Sequence, residues 1–307
     1  MKNDSVKKGI FFALLSALLY ALSVPFSKVL LEFVPSTMMA GLLYIGAGLG
    51  MGVVAIFRKG TDNFSSEEKF TKSDLPYVFG MIILDIAAPI SLMFGLDITS
   101  AANASLLNNF EYAATALIAF FIFREKISPR LWLGICLTCF SCILLSVEDF
   151  SAFRFSAGSA LVLLSAVLWG IENNCTGALS KKDPLIIVIL KGIFCGGTSF
   201  LLALSLGEKP ENLLSIAAVL VLGLFSYGLS IFVFVYAQRY LGAARTSVYS
   251  ALTPFFGTAL SLIIFRESPG IKYFSALVLM IASAWLSSSD KPLFKKRKVI
   301  CQTKCNS

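Results

Sequence analysis

The chain has 307 residues, 57% of them hydrophobic, with a mean hydropathy of +0.80 and a formal charge of +8. That apolar share exceeds the ~45–50% of soluble domains, which excludes an ordinary soluble protein and identifies an integral membrane protein. The basic residues sit in loops and at the ends, where they serve membrane orientation rather than nucleic-acid binding.

Apolar runs of about 20 residues, each able to cross a ~30 Å hydrocarbon layer, recur ten times along the chain. They occupy residues 9–30, 35–57, 75–96, 101–123, 131–147, 156–179, 184–206, 213–236, 243–265 and 271–288. The spacing therefore predicts an all-α membrane protein of about ten transmembrane helices. Residues 1–8 form a cytoplasmic N-terminus and residues 290–307, with "KPLFKKRK", a basic cytoplasmic tail. With the N-terminus inside, 20 Lys and Arg fall in inner segments and 5 in outer ones, while Lys191 lies within a span. The excess of inner basic residues predicts that both termini are cytoplasmic.

A basic segment before the first span also suits a signal peptide, but that span recurs further along. "GIFFALLSALLYALSVPFSKVL" from Gly9 aligns with "GSALVLLSAVLWGIENNCTGAL" from Gly158, pairing Ser16 with Ser165 and Tyr20 with Trp169. "SAANAS" (100–105) and a following "FREKIS" match "GAARTS" (242–247) and "FRESPG". The chain is thus two five-span repeats, 9–147 and 156–289. An odd number of spans forces the copies into opposite orientations, the inverted-repeat plan of transporters.

These openings, the double repeat and the FRE that ends each fourth span resemble the drug/metabolite transporter superfamily, in its EamA-type ten-helix branch. The resemblance implies that four helices of each half surround a central cavity, with the fifth and tenth spans to the side. It also implies a Pro within the fourth span of each repeat. Pro254 matches, whereas Tyr112 stands there in the first half, so the first half is expected to be less kinked.

"YIGAGLGMG" (44–52) lacks a G-x-G-x-x-G spacing, and its G-x-x-x-G pairs, Gly46/Gly50 and Gly48/Gly52, suit close helix packing. The stripe Cys136, Cys139 and Cys142 is read as helix packing in a chain without histidine, so no metal and no cofactor are expected. The N-x-S/T matches at Asn3, Asn63, Asn103 and Asn174 are read as chance.

Four ionisable residues interrupt the apolar runs: Asp85, Glu111, Glu172 and Lys191. Each costs about 2.5–3.5 kcal/mol at mid-membrane on insertion scales, so each asks for a role. Asn108, Glu111, Tyr112 and Thr115 share one helical face, with Phe110, Leu117 and Phe121 opposite. The sixth span repeats this with Ser165, Trp169, Glu172, Asn173 and Thr176. Asp85 precedes Pro89 by one turn, and no cation stands evidently at its depth. Glu172 and Lys191 lie at similar depth on consecutive antiparallel spans and are expected to be neighbours, with a structural and a binding role equally open.

The reading that results is a secondary transporter of a small metabolite or amphipathic solute across the bacterial plasma membrane. It works by alternating access, with proton coupling a natural use of the carboxylates. Export follows from the resemblance alone. Glu111 is the first candidate for substrate binding or proton coupling and Asp85 the second, with Asn108, Glu172, Lys191, Trp169, Tyr20, Asn173 and Tyr249 beside them. The alternatives are a membrane-embedded enzyme acting on lipid-linked substrates, or a non-transporting membrane partner or sensor. No nucleophile–base pair or ATP-hydrolysing motif is recognisable, so no catalytic residue is assigned. The partners expected are the solute and the lipid bilayer, with a homodimer left open and no nucleic acid.

Overall fold

A computed structural model of the chain describes residues 2–58, 68–98, 107–108, 110–146, 157–265 and 271–288. All regular structure among them is helical. In chain order the helices are α1 (Lys2–Ala21), α2 (Ser23–Leu30), α3 (Ser36–Arg58), α4 (Leu75–Ile98), α5 (Phe110–Phe121), α6 (Pro129–Ser146) and α7 (Ala157–Ala178). They continue as α8 (Pro184–Ser205), α9 (Leu213–Gly223), α10 (Ser230–Leu241), α11 (Ala243–Ser250), α12 (Thr253–Phe265) and α13 (Ile271–Ser287). Each of the ten expected spans holds at least one of these helices. The ends differ, because hydropathy marks the apolar stretch and not where the helix stops: α1 begins at Lys2 and α10 runs to Leu241.

The breaks have local causes. Pro25 lacks the N–H that would bond the carbonyl of Ala21, and the first span breaks between α1 and α2 at Leu22. Pro254 acts in the same way on Ser250, and α11 and α12 part at Ala251 and Leu252. The equivalent of that break in the first half falls at residues 109–110, of which 109 lies outside the described residues, and α5 is described from Phe110 onward. The eighth span contains a π-helical turn, Leu224–Leu229, between α9 and α10. Asp183 caps α8 by accepting from Leu185 N–H at 2.9 Å, and Asn212 caps α9 by accepting from Ser215 N–H at 2.7 Å.

Helix contacts repeat when the halves are exchanged. The first span packs on the eighth and ninth as the sixth packs on the third and fourth, and the second crosses the seventh. The hydrogen bonds obey the same exchange: Ser16 Oγ donates to Ser230 O at 3.0 Å and its repeat partner Ser165 Oγ donates to Ala88 O at 2.7 Å. The second–seventh crossing is closest at Gly48 and Gly192, where a Cβ added to Gly192 would fall 2.4 Å from Gly48 Cα. Gly46 and Gly50 meet Leu220 and Leu224 in the same way, which bears out packing as their role, while a Cβ on Gly52 would meet nothing.

The fifth and tenth spans, α6 and α13, pack chiefly on each other at the side of the bundle. Short hydroxyl bonds tie them, including Thr138 Oγ1 to Ser283 Oγ at 2.7 Å and Ser141 Oγ to Ala276 O at 2.6 Å. Large apolar side chains such as Phe57, Phe121 and Leu201 are exposed around the perimeter, as a lipid-facing surface requires. Among the described residues five helical stretches, Asp4–Ser27, Ser36–Arg58, Lys72–Leu92, Pro184–Ser205 and Leu213–Leu241, are by length and composition able to cross a membrane.

Candidate functional site

The intramembrane charges converge. Lys191 on α8 places Nζ 2.7 Å from Glu172 Oε1 on α7 and 3.3 Å from Asp85 Oδ2 on α4. All three side chains are buried. The expected Glu172–Lys191 neighbours are therefore two members of a triad. The expectation that Asp85 has no cation at its depth is corrected: Lys191 reaches it from a span about a hundred residues later, which no local spacing reveals. Thr176 Oγ1 donates to Glu172 Oε1 at 2.5 Å, and Tyr44 OH lies 3.2 Å from both oxygens of Asp85. Pro89 leaves the backbone carbonyl of Asp85 without its helical donor, so the acid sits where α4 is already relaxed.

Glu111 stands apart from this triad. Its Oε1 accepts from Asn173 Nδ2 at 2.8 Å, and among the described residues no cation forms an ion pair with it. Asn173 follows Glu172 directly, so the ~100° turn per helical residue aims one at Lys191 and the other at Glu111. The next residue, Asn174, donates to Thr115 O at 2.9 Å and Gly170 O at 2.8 Å, which gives this N-x-T match a buried structural role. Thr115 Oγ1 bonds back to Glu111 O at 2.8 Å, and Gln238 Nε2 donates to Asn173 O at 2.8 Å. Two acceptors in this neighbourhood, Asn108 Oδ1 and Gln238 Oε1, are buried without a hydrogen-bond donor. Glu111 is half-buried while Phe110, Leu117 and Phe121 on the opposite face of α5 are exposed, so the carboxyl faces the bundle interior as its spacing predicts.

An aromatic group adjoins the acids. Tyr44 packs edge-on against Tyr227 with ring centroids 5.0 Å apart, and Tyr20 lies 5.3 Å from Tyr227 on its other side. Tyr227 belongs to the π turn, whose extra residue per turn re-aims side chains and which is common at functional sites. Tyr20, with its ring against Tyr227, is 41% exposed. Trp169 is half-buried one turn before Glu172 and Asn173.

Tyr249 does not join them. It is 2% exposed, packs with Phe255 and Met280, and donates its OH to Ala284 O at 3.1 Å. The aromatic residues that the structure sets beside Asp85 are instead Tyr227 and Tyr44. Neither was visible as a site: Tyr44 lies in the glycine stretch read as packing, and the π turn that presents Tyr227 leaves no periodicity signal.

At the basic ends of the spans, loops from the two halves are joined. Arg58 forms a two-pronged pair with Asp183 at 3.1 and 2.8 Å, and Lys182 pairs with Asp74 at 3.0 Å. Glu125, the acid of the first FRE, accepts from Ala243 N–H at 3.1 Å and Ala244 N–H at 3.4 Å, capping α11 in the other half. The Ala-Ala and FRE shared by the repeats are thus the two ends of one contact. In the second copy, residues 101–102 and 266–267 lie outside the described residues.

The EamA-like transporter family matches residues 7–147 and 156–289, one copy per half. The chain belongs to that family. An uncharacterized transporter of Methanothermobacter thermautotrophicus is 27% identical over 91% of this chain and 85% of its own. One of Clostridium kluyveri is 24% identical over 96% and 97%, and YyaM of Bacillus subtilis, also an uncharacterized transporter, is 22% identical over 83% and 85%. A solved crystal structure superimposes with a TM-score of 0.76 at 15% identity, covering 92% of this transporter and 96% of the other chain, which supports the fold. The protein is therefore a ten-span membrane transporter of inverted-repeat design.

Proposed function

We propose that this transporter is a gradient-driven exporter of a small metabolite, cycling by alternating access between its two halves. Glu111 is its coupling carboxyl, and the observation that carries this is the pairing of Glu111. Asp85 and Glu172 share the cation of Lys191, whereas among the described residues Glu111 is met by an amide, from Asn173 across the contact between the halves. A carboxyl held in that way can exchange a proton for a cationic or hydrogen-bonding group of the solute. Movement of α5 against α7 would make or break its one side-chain bond. Competition of proton and solute for one site is a direct route to antiport.

The test begins in cells. Overexpression and deletion strains are compared for metabolites in the medium, with wild type and Glu111→Gln supplied in parallel. The solute so identified is then followed in proteoliposomes under an imposed pH gradient. Glu111→Gln should reach normal abundance, lose pH-driven net transport and keep at most solute exchange. Full pH-driven accumulation by that variant would assign Glu111 to structure. The placement in the plasma membrane with both termini cytoplasmic is part of the same proposal and rests on the distribution of basic residues. Impermeant labelling of a single cysteine at position 63 from outside the cell would refute it.

A further inference from the structure

The interior of the bundle is chemically lopsided. Exchanging the halves in the register that sets Ser230 over Ala88 sets Tyr227 over Asp85 and Thr253 over Glu111. The alignment of the first and sixth spans likewise sets Tyr20 over Trp169 and Ser23 over Glu172. Where one side carries carboxylates, the equivalent positions on the other carry phenols and hydroxyls. The two sides meet where Tyr44 OH touches Asp85 and its ring touches Tyr227.

We infer that Tyr20, Tyr44 and Tyr227, together with Glu111 and Asp85, form a binding site for a small organic ammonium ion. This deepens the transport reading above and rests on it. Two carboxylates share Lys191 and Glu111 stands beside them without an ion pair among the described residues, so the ionised interior carries an excess of negative charge that a cation offsets. Tyr44 and Tyr227 set two aromatic rings beside Asp85, with Tyr20 against Tyr227, and aromatic rings attract a diffuse, weakly hydrated cation. Hard metal cations instead require several oxygen ligands at fixed distances, which an aromatic wall does not supply.

The second observation concerns hydrogen bonding. Asn108 Oδ1, one turn before Glu111, is a buried acceptor with no donor among the described residues. An ammonium group brings N–H donors and positive charge to a site supplied with acceptors and negative charge. A carboxylate solute would add an acceptor and a like charge. Proton and ammonium ion then compete for Glu111, so binding weakens as pH falls.

The test is equilibrium binding, separate from flux. The full chain in lipid nanodiscs is titrated calorimetrically at pH 8 with phenethylammonium and with its uncharged counterpart, phenethyl alcohol. Wild type should bind the amine at least tenfold more tightly than the alcohol. Tyr227→Leu should lose about tenfold for the amine, equivalent to 1.4 kcal/mol, and little for the alcohol. Tyr227→Phe, which keeps the ring, should retain wild-type affinity, and this controls for damage to the π turn. Glu111→Gln should weaken amine binding and remove its dependence on pH. Equal affinity for amine and alcohol, or an unaltered Tyr227→Leu, would overturn the inference. If the amine fails to bind while the solute found in cells still moves in a Glu111-dependent way, this inference falls and the transport reading stands. Tight amine binding without pH-driven flux of any solute would have the opposite meaning.

Discussion

Removing Lys191 tests the triad most directly. Lys191→Met keeps the length of the side chain but leaves Glu172 and Asp85, formerly 2.7 and 3.3 Å from Nζ, as two buried carboxyls without a cation. Breaking a buried pair in this way costs roughly 3–5 kcal/mol, because the residual charge is uncompensated. Thr176 and Tyr44 still donate to the two acids, which favours the lower half of that range. Glu172→Gln is milder, since Lys191 keeps Asp85, and the loss is that of one bond to a charged group, about 1.5–3 kcal/mol. The triple neutral variant, Lys191→Met with Glu172→Gln and Asp85→Asn, contains no buried charge in the triad and should recover most of the loss. The expected order of stability is triple variant above Glu172→Gln above Lys191→Met. Unfolding by titrated denaturing detergent in mixed micelles, with size-exclusion profiles for abundance, measures it. A triple variant no more stable than Lys191→Met would refute the reasoning, because no charge would then be left to explain the loss.

Gly192→Val should prevent assembly of the second–seventh crossing, since its Cβ would meet backbone at 2.4 Å, whereas Gly52→Ala should leave folding and abundance unchanged. Size-exclusion profiles of the two variants decide this. Glu125 lies outside the spans, and burial raises its pKa despite the bonds from Ala244 and Ala243 N–H, which favour the ionised form. The folded carboxyl thus holds its proton to higher pH than the unfolded one. The stability linked to that proton is full below the unfolded value of ~4.3 and is lost as pH rises through the raised folded value. Glu125→Gln, which cannot ionise, should therefore gain on wild type with rising pH in thermal unfolding series.

The ten spans and their pairing into two halves were legible because each depends on runs of about twenty residues and on motifs repeated at a constant register. The orientation of Glu111 was legible for the same reason: Phe110, Leu117 and Phe121 define the opposite face of one continuous helix. The partners of Asp85 were not, since Tyr44 and Lys191 come from the second and seventh spans and meet it only when those helices cross at Gly48 and Gly192. The surroundings of Tyr249 were not legible either, since an aromatic residue on a span can face the interior or pack between helices. It is buried, with its OH on Ala284 O of the tenth span.

The departure from symmetry bears on mechanism. In an inverted repeat, alternating access requires each half to adopt in turn the conformation of the other, and backbone contacts such as the two Ser-to-carbonyl bonds permit this because both halves possess them. The side chains at the centre do not interchange: Glu111 meets Asn173, while Thr253 stands at its equivalent. The Asp85–Lys191–Glu172 triad joins spans of both halves through buried charges, and separating them in the membrane would cost more than any other contact at the site. The triad is therefore best placed to remain intact through the cycle and act as a fixed pivot joining the third, sixth and seventh spans. The weaker amide bond between Glu111 and Asn173 is then the contact free to open. A crosslink between cysteines placed at 85 and 191, in an otherwise cysteine-free Glu172→Gln background, tests this division. It should leave transport cycling of that background unchanged, whereas a crosslink between 111 and 173 should arrest any residual exchange. Arrest by the first crosslink and not the second would reverse the assignment of pivot and moving contact.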